Sequence, residues 1–358
     1  MIRTDVVILR GANGPTEDDA RWSHDWGTTI VTVETSAALP PGHLAARPLA
    51  TAGHADRAEA PFRIALTAAA VLVLVLLGAI VVLLFNGGFP VLVRFGLSFF
   101  VSTDWNPVTE NYGAAVMLYG TLVTSALALL IAFPTSLGIA LFLTEVAPEQ
   151  LRRPIGTAIQ LLAAVPSIIY GMWGFFVVVP LMSAHVQPLL KAVFGPIPLI
   201  GALFSGAPAG TGILTAGLIL ALMIMPFITA MFVEIFSSVP PVLKEAAYGV
   251  GATTTEVFRA VTVPYGRSAL VGAVMLGLGR ALGETMAVTF VIGNANRIAA
   301  SLYSPGASIA STIANEFPEA GPGSIKLNAL LELGFSLFVI SFLVLALARF
   351  LVRNRLEA

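Results

Sequence analysis

The sequence predicts an all-α polytopic membrane protein with six transmembrane helices, and three observations carry that expectation. Only 11% of the 358 residues are charged and 57% are hydrophobic. A soluble domain is about a quarter charged, so this chain could not cover its own surface in water; its mean hydropathy is +0.89. The apolar residues also fall in blocks of roughly 20, the length that crosses a bilayer core as a helix. The same composition excludes other classes. A net charge of −1 gives no basic excess for nucleic acid. The absence of Cys rules out disulfides, thiolate metal sites and cysteine nucleophiles. The 4 His include no pair at metal-ligand spacing, so no metal site is expected.

Residues 1–63 read as a polar, mostly disordered cytoplasmic tail holding eight acids, Asp5, Glu17, Asp18, Asp19, Asp25, Glu34, Asp56 and Glu59, with no sustained apolar periodicity. Val6–Leu9 and Thr28–Val33 could form short strands, and no basic stretch with an apolar core marks a signal peptide. Residues 64–353 form the six-helix domain. Its apolar blocks run from about Ile64 to Phe85, Ala114 to Leu143, Ala158 to Leu181, Gly212 to Phe236, Ala269 to Ile292 and Leu327 to Leu351. With the N-terminus inside, ten basic residues flank the inner side (Arg57, Arg63, Arg152, Arg153, Lys244, Arg259, Arg267, Arg349, Arg353, Arg355) and four lie outside (Arg94, Lys191, Arg297, Lys326). That asymmetry places both termini in the cytoplasm. Pro134, Pro166, Pro180 and Pro226, with Gly171 and Gly174, fall within spans. They fit either ordinary membrane-helix composition or a bundle that kinks around a pathway.

The inner loop at about 239–264 reads as a short helix, a Gly-rich break and a second short helix stopped by Pro264. Pro240 and Pro241 can begin a helix. Gly249 and Gly251 allow a sharp turn. Thr253 to Thr255 can cap the second helix, with Glu256 in its first turn. Val257, Phe258 and Val261 give it an apolar face. Span five is the charged one. Arg280 and Glu284 lie within its apolar block at i and i+4, hence on one helix face. Each charge at a helix centre costs roughly 2.5–3.5 kcal/mol on insertion scales. The two could form a self-neutralising packing pair, or line a substrate route with Arg280 meeting a passing anion. Gly277, Gly279 and Gly283 thin the same span for close helix approach.

The inner loop resembles the EAA loop of ABC-importer permeases. Glu245-Ala246-Ala247, three residues, Gly251, nine residues, Val261, one residue and Val263-Pro264 match its spacing, with Val in place of the usual Ile and Leu. Three further strings resemble the C-type permease subunit of bacterial phosphate ABC importers. They are Gly279-Arg280-Ala281-Leu282-Gly283-Glu284-Thr285-Met286-Ala287-Val288 with Gly293-Asn294, Leu161 through Gly174 around Pro166, and Asp104-Trp105-Asn106-Pro107. The likeness covers about Ile64 to Arg353 and leaves out the tail.

That resemblance implies a type I importer permease fold (MetI-like) and a multi-pass subunit of the bacterial inner membrane. It implies an ATP-driven importer of inorganic phosphate in which this chain forms half of the pathway beside an A-type permease. A cytoplasmic ABC ATPase dimer would bind ATP and Mg, since this chain has no phosphate loop and no cofactor of its own. An external phosphate-binding protein would deliver substrate. Glu245, Ala246, Ala247, Gly251 and Pro264 would form the ATPase-coupling loop, and Arg280, Glu284 and Thr285 the pathway or gate. Ser167 and Tyr170 could add polar groups near the Pro166 break. Other readings stay open from the residues alone. Arg280 would suit another oxyanion such as molybdate or sulfate. A secondary transporter driven by an ion gradient would show inverted repeats, and none is clear. An intramembrane enzyme would need a nucleophile with a base or a metal cluster, and no span supplies one.

Overall fold

A computed structural model describes residues 52–198 and 200–356. Residues 1–51, with both short-strand candidates and most of the expected tail, lie outside the described residues. The described chain opens with a helix, α1 (Ala52–Phe95), so the expected boundary near residue 63 falls inside it.

Six helical segments are long and apolar enough to cross a membrane: Pro61–Phe100, Ala115–Val146, Ser167–Phe194, Ile213–Ser237, Thr254–Leu282 and Ile325–Phe350. After α1 comes a two-stranded antiparallel hairpin, β1 (Trp105–Asn106) and β2 (Asn111–Tyr112), which with an isolated Gly293–Gly306 bridge departs from all-α among the described residues. The Asn106 side chain shapes its turn by accepting from the Val108 and Thr109 amides. Span two is α2 (Ala115–Leu141), prolonged by a π-turn at Phe142–Val146. Next lies α3 (Glu149–Ala163). Span three joins α4 (Ser167–Trp173), α5 (Val179–Leu181) and α6 (Gln187–Phe194) through two π-turns. The short α7 (Ile200–Leu203) precedes span four, α8 (Ile213–Ser237). Then follow α9 (Pro241–Gly249), α10 (Thr254–Val257) and α11 (Val263–Leu282). The last elements are α12 (Met286–Val291), α13 (Ile309–Glu316) and α14 (Ile325–Leu356).

Span three differs from expectation. Residues 158–163 belong to α3, which carries Arg152, Arg153 and Gln160 and buries none of its residues. Pro166 has no N–H and pushes Val165 out of helical geometry, so the helix stops at Ala163 and the span restarts at Ser167. A hydropathy window runs across such a break without registering it. By contrast α2 passes through Pro134 and α8 through Pro226 without interruption.

Span four is the axis of the bundle. Its most apolar stretch is 61% buried, against at most 28% for the other spans. The buried core runs along it through Ile219, Leu220, Ile224, Ile228, Phe232 and Phe236. Small residues on α2 (Ala128, Ala132, Ser136, Ala140) let it lie close against α8, and the Ser136 hydroxyl donates to the Met225 carbonyl at 3.0 Å. In lipid, where no hydrophobic force brings helices together, such close approach is what holds them. A second cluster caps the hairpin end: Trp105 and Tyr112 stack edge-on at 4.9 Å, and the Trp105 indole donates to Glu316, which also pairs with Lys326 at 3.2 Å. Leu72, Val73, Leu74 and Leu83 of span one remain exposed. A face this apolar is stable where hydrocarbon surrounds it.

Candidate functional site

Two features of the chain carry chemistry: a break in span five and the loop before that span.

α11 ends at Leu282, and Gly283, Glu284 and Thr285 leave the helix before α12 resumes at Met286. The expectation that Arg280 and Glu284 share one helix face is therefore corrected. A helix face requires continuous turns, and Gly283 ends them. Arg280 occupies the last turn of α11, where its charge faces the negative end of the helix dipole. Glu284 turns the other way. One of its carboxylate oxygens accepts from the Ala287 amide at 3.2 Å, inside the first turn of α12. Each charge is thus served by a different half-helix. The two side chains make no ion pair with each other among the described residues, so the self-neutralising pair is not formed. Arg280 is exposed, while Glu284 and Thr285 are half-buried. The Thr285 carbonyl accepts from Thr289 through both its amide and its hydroxyl, which fixes α12 just past the break.

Span three holds that second half-helix. A Cβ on Gly171 would stand 2.9 Å from Ala287 Cα and 3.1 Å from the Met286 carbonyl, so α4 seats on α12 only because Gly171 has no side chain. Gly277 performs the same service for α11 against Ile228 of span four. Gly279 and Gly283 stand free of such contact. Tyr170 does not add a free polar group: its hydroxyl donates to the Leu162 carbonyl at 2.9 Å and ties α3 to α4 across the Pro166 break. Ser167 is half-buried at the first turn of α4.

The loop folds as a helix, a break and a helix, with one correction. α9 starts with Pro241 at its first position and buries none of its residues. Val242 is 72% exposed and Val250 86%, with Leu243, Glu245, Ala246 and Tyr248 also on the surface and Ala247 half-buried. The turn is made at Gly251, whose φ of +88° suits glycine. Gly249 stays helical. Thr253 and Glu256 form a reciprocal cap: the Thr253 hydroxyl accepts from the Glu256 amide, and the Glu256 carboxylate accepts from the Thr253 amide at 2.8 Å. Pro264, however, does not stop the second helix. A π-turn at Phe258–Thr262 joins α10 to α11, and Pro264 sits in the first turn of α11. A missing amide costs little there. The loop is thereby continuous with span five. Val257 and Phe258 are buried and Val261 half-buried, and Phe258 packs edge-on against Phe236 of span four at 5.1 Å.

Residues outside the expected set complete this end of the molecule. Lys244 donates to Glu145 at 2.6 Å, and Arg152 donates to the Thr144 carbonyl at 2.8 Å. Beside them lies a cavity of about 390 Å³ lined by Leu143, Thr144, Arg152, Phe236, Lys244 and Glu245. An acid ending an apolar run, as Glu145 does, was the one local signal. Glu332 of span six was also missed; it is 1% exposed and sits against Gly88, with neither carboxylate oxygen hydrogen-bonded among the described residues.

Residues 136–357 match the family of binding-protein-dependent transport system inner membrane components. The chain is 55% identical to the phosphate transport system permease protein PstC of Mesorhizobium japonicum, over 82% of this chain and 90% of that one. It is 56% identical to the protein of the same name from Pasteurella multocida, over 79% of this chain and 88% of that one. Among solved structures, a bacterial alginate ABC transporter in complex with its pentasaccharide-bound periplasmic protein aligns with a TM-score of 0.56 at 17% identity, covering 83% of this chain and 96% of that one. That likeness is one of fold.

Proposed function

This chain belongs to the binding-protein-dependent inner membrane components and, within them, to the phosphate transport system permeases PstC; from that membership we propose that it is the permease subunit of an ATP-driven importer of inorganic phosphate. The observation that carries the reading is the EAA loop, in which an exposed helix, α9, is joined through the Gly251 turn to a second helix that runs on into a broken, charged span. The relatives favour phosphate over molybdate or sulfate, and an ATP-driven permease over a gradient-driven carrier.

The chain is a transport subunit, and hydrolysis of ATP with its Mg falls to a separate ABC ATPase. The α9 knob offers that partner an apolar surface of Val242, Leu243 and Tyr248, with Glu245 available to pair with a basic residue. Ala246 and Ala247 keep the helix slim enough to seat closely. The loop and both termini then face the cytoplasm, as the basic residues favour, and the hairpin end faces the external phosphate-binding protein. Arg280 is exposed on this chain, so its route is completed by a second, A-type permease.

Transport follows from the break. A half-helix C-terminus beside Arg280 and a half-helix N-terminus beside Glu284 make a polar point within an apolar bundle, the arrangement by which transporters admit ions to the membrane interior. Arg280 attracts the phosphate anion. Glu284, spent on the α12 cap, limits the net positive charge, so the site holds phosphate weakly and releases it inward. Affinity then resides in the external binding protein. ATP-dependent phosphate uptake into vesicles holding the whole assembly tests this. Uptake that requires ATP and the binding protein supports it; tight phosphate binding by the permease pair alone contradicts the weak site.

A further inference from the structure

Two helix C-termini, those of span two and α8, converge beside α9, and such ends carry carbonyls that their own turns leave unpaired. Two basic side chains gather them. Lys244 donates to the Glu145 carboxylate at 2.6 Å and reaches the Phe236 carbonyl, near the end of α8, at 3.4 Å. Arg152 of α3 donates to the Thr144 carbonyl at the end of span two. The Glu145–Lys244 side chains are only 9% and 18% exposed, so water and salt screen them little. The Glu149–Arg153 pair, 82% and 85% exposed at 3.6 Å, is of the surface kind that contributes little.

The covalent path from α9 is limited. Toward the N-terminus three residues separate it from α8, and toward the C-terminus the Gly251 break separates it from α10. Span two has no such link: Glu145 and Lys244 lie 99 positions apart. Yet span two makes the main contact with the span-four core. Adjacent residues divide the labour, since Lys244 is half-buried toward the bundle while Glu245 is exposed.

We propose that Glu145 and Lys244 are positioning residues, forming a strut that makes α9 and the end of span two move as one body. Displacement of α9 by the ATPase then enters the bundle through span two as well as through spans four and five. The strut rests on the importer reading given above.

The test is the amount of phosphate imported per ATP hydrolysed by the reconstituted whole assembly, normalised to assembled complex. Glu145→Gln and Lys244→Met should each lower that ratio about five-fold, within the usual range for coupling residues, and the reversal Glu145→Lys with Lys244→Glu should recover most of it. Single variants that only reduce the yield of complex, with a native ratio, overturn the strut, as does a reversal no better than either single. The chain has no Cys, so Glu145→Cys with Lys244→Cys, joined by a short thiol crosslinker in the assembled complex, gives a second measurement. Without the crosslinker this variant should show the lowered ratio of the single variants, and the crosslink, by re-forming the strut, should restore most of it; a ratio that the crosslink leaves low or lowers further overturns the strut. Native uptake that ignores ATP removes the importer reading and the strut together, whereas ATP-driven native uptake with unchanged ratios in the variants removes the strut alone.

Discussion

Arg280 stands in the last turn of α11, where the helix dipole offsets part of the cost of placing a cation in an apolar span. It makes no ion pair among the described residues, so its charge is available to an anion. Arg280→Gln should lower phosphate uptake about ten- to hundred-fold, the worth of a charge-assisted contact, while the complex still assembles; uptake assays alongside complex purification check both parts. Gly171 sets a separate limit. Gly171→Ala places a methyl group against the backbone of α12, and overpacking of that kind costs roughly 1–3 kcal/mol. A thermal melt of the purified complex should therefore shift downward, with uptake falling as α12 is displaced. From sequence, the charges in span five were legible as unusual, but their pairing was not. The i, i+4 rule assumes an unbroken helix, and Gly283 at this position could equally have continued one.

At the scale of elements, the loop before span five is a series of short, individually anchored pieces. α9 presents its surface, Gly251 turns the chain, the Thr253–Glu256 cap starts α10, and the π-turn carries that helix into α11. Thr253→Ala removes the cap at a cost of about 1 kcal/mol, which should appear as faster proteolytic cleavage around residue 251 in the assembled complex. Val242→Glu adds a charge to the exposed face of α9 and should weaken co-purification of the ATPase without unfolding the bundle. Intact co-purification would move the docking surface elsewhere. The cap was legible because Thr and Glu stand three apart before an apolar run. The passage through Pro264 was not, since a π-turn leaves no mark on hydrophobic periodicity. Span three shows the same limit: α3 and α4 read as one apolar stretch until Pro166 divides them.

The described residues from Ala68 onward are organised around span four, against which the broken span packs together with span three. The number of spans was legible because length and low charge are demanded by the bilayer itself. Their neighbours were not, because helices that meet lipid and helices that meet protein are both apolar. The contacts that decide packing come from small residues such as Ala128 and Ala132, or from pairs such as Glu145 and Lys244 that no local pattern joins. On the proposed reading, the polar break would serve as the route and the loop as the link to ATP. The most direct test measures ATP-dependent phosphate uptake in vesicles holding the complete assembly, native against Arg280→Gln. The account predicts uptake that requires ATP in the native assembly and falls about ten- to hundred-fold in the variant, with assembly intact. Native uptake indifferent to ATP, or an Arg280→Gln assembly that imports phosphate at the native rate, would contradict it.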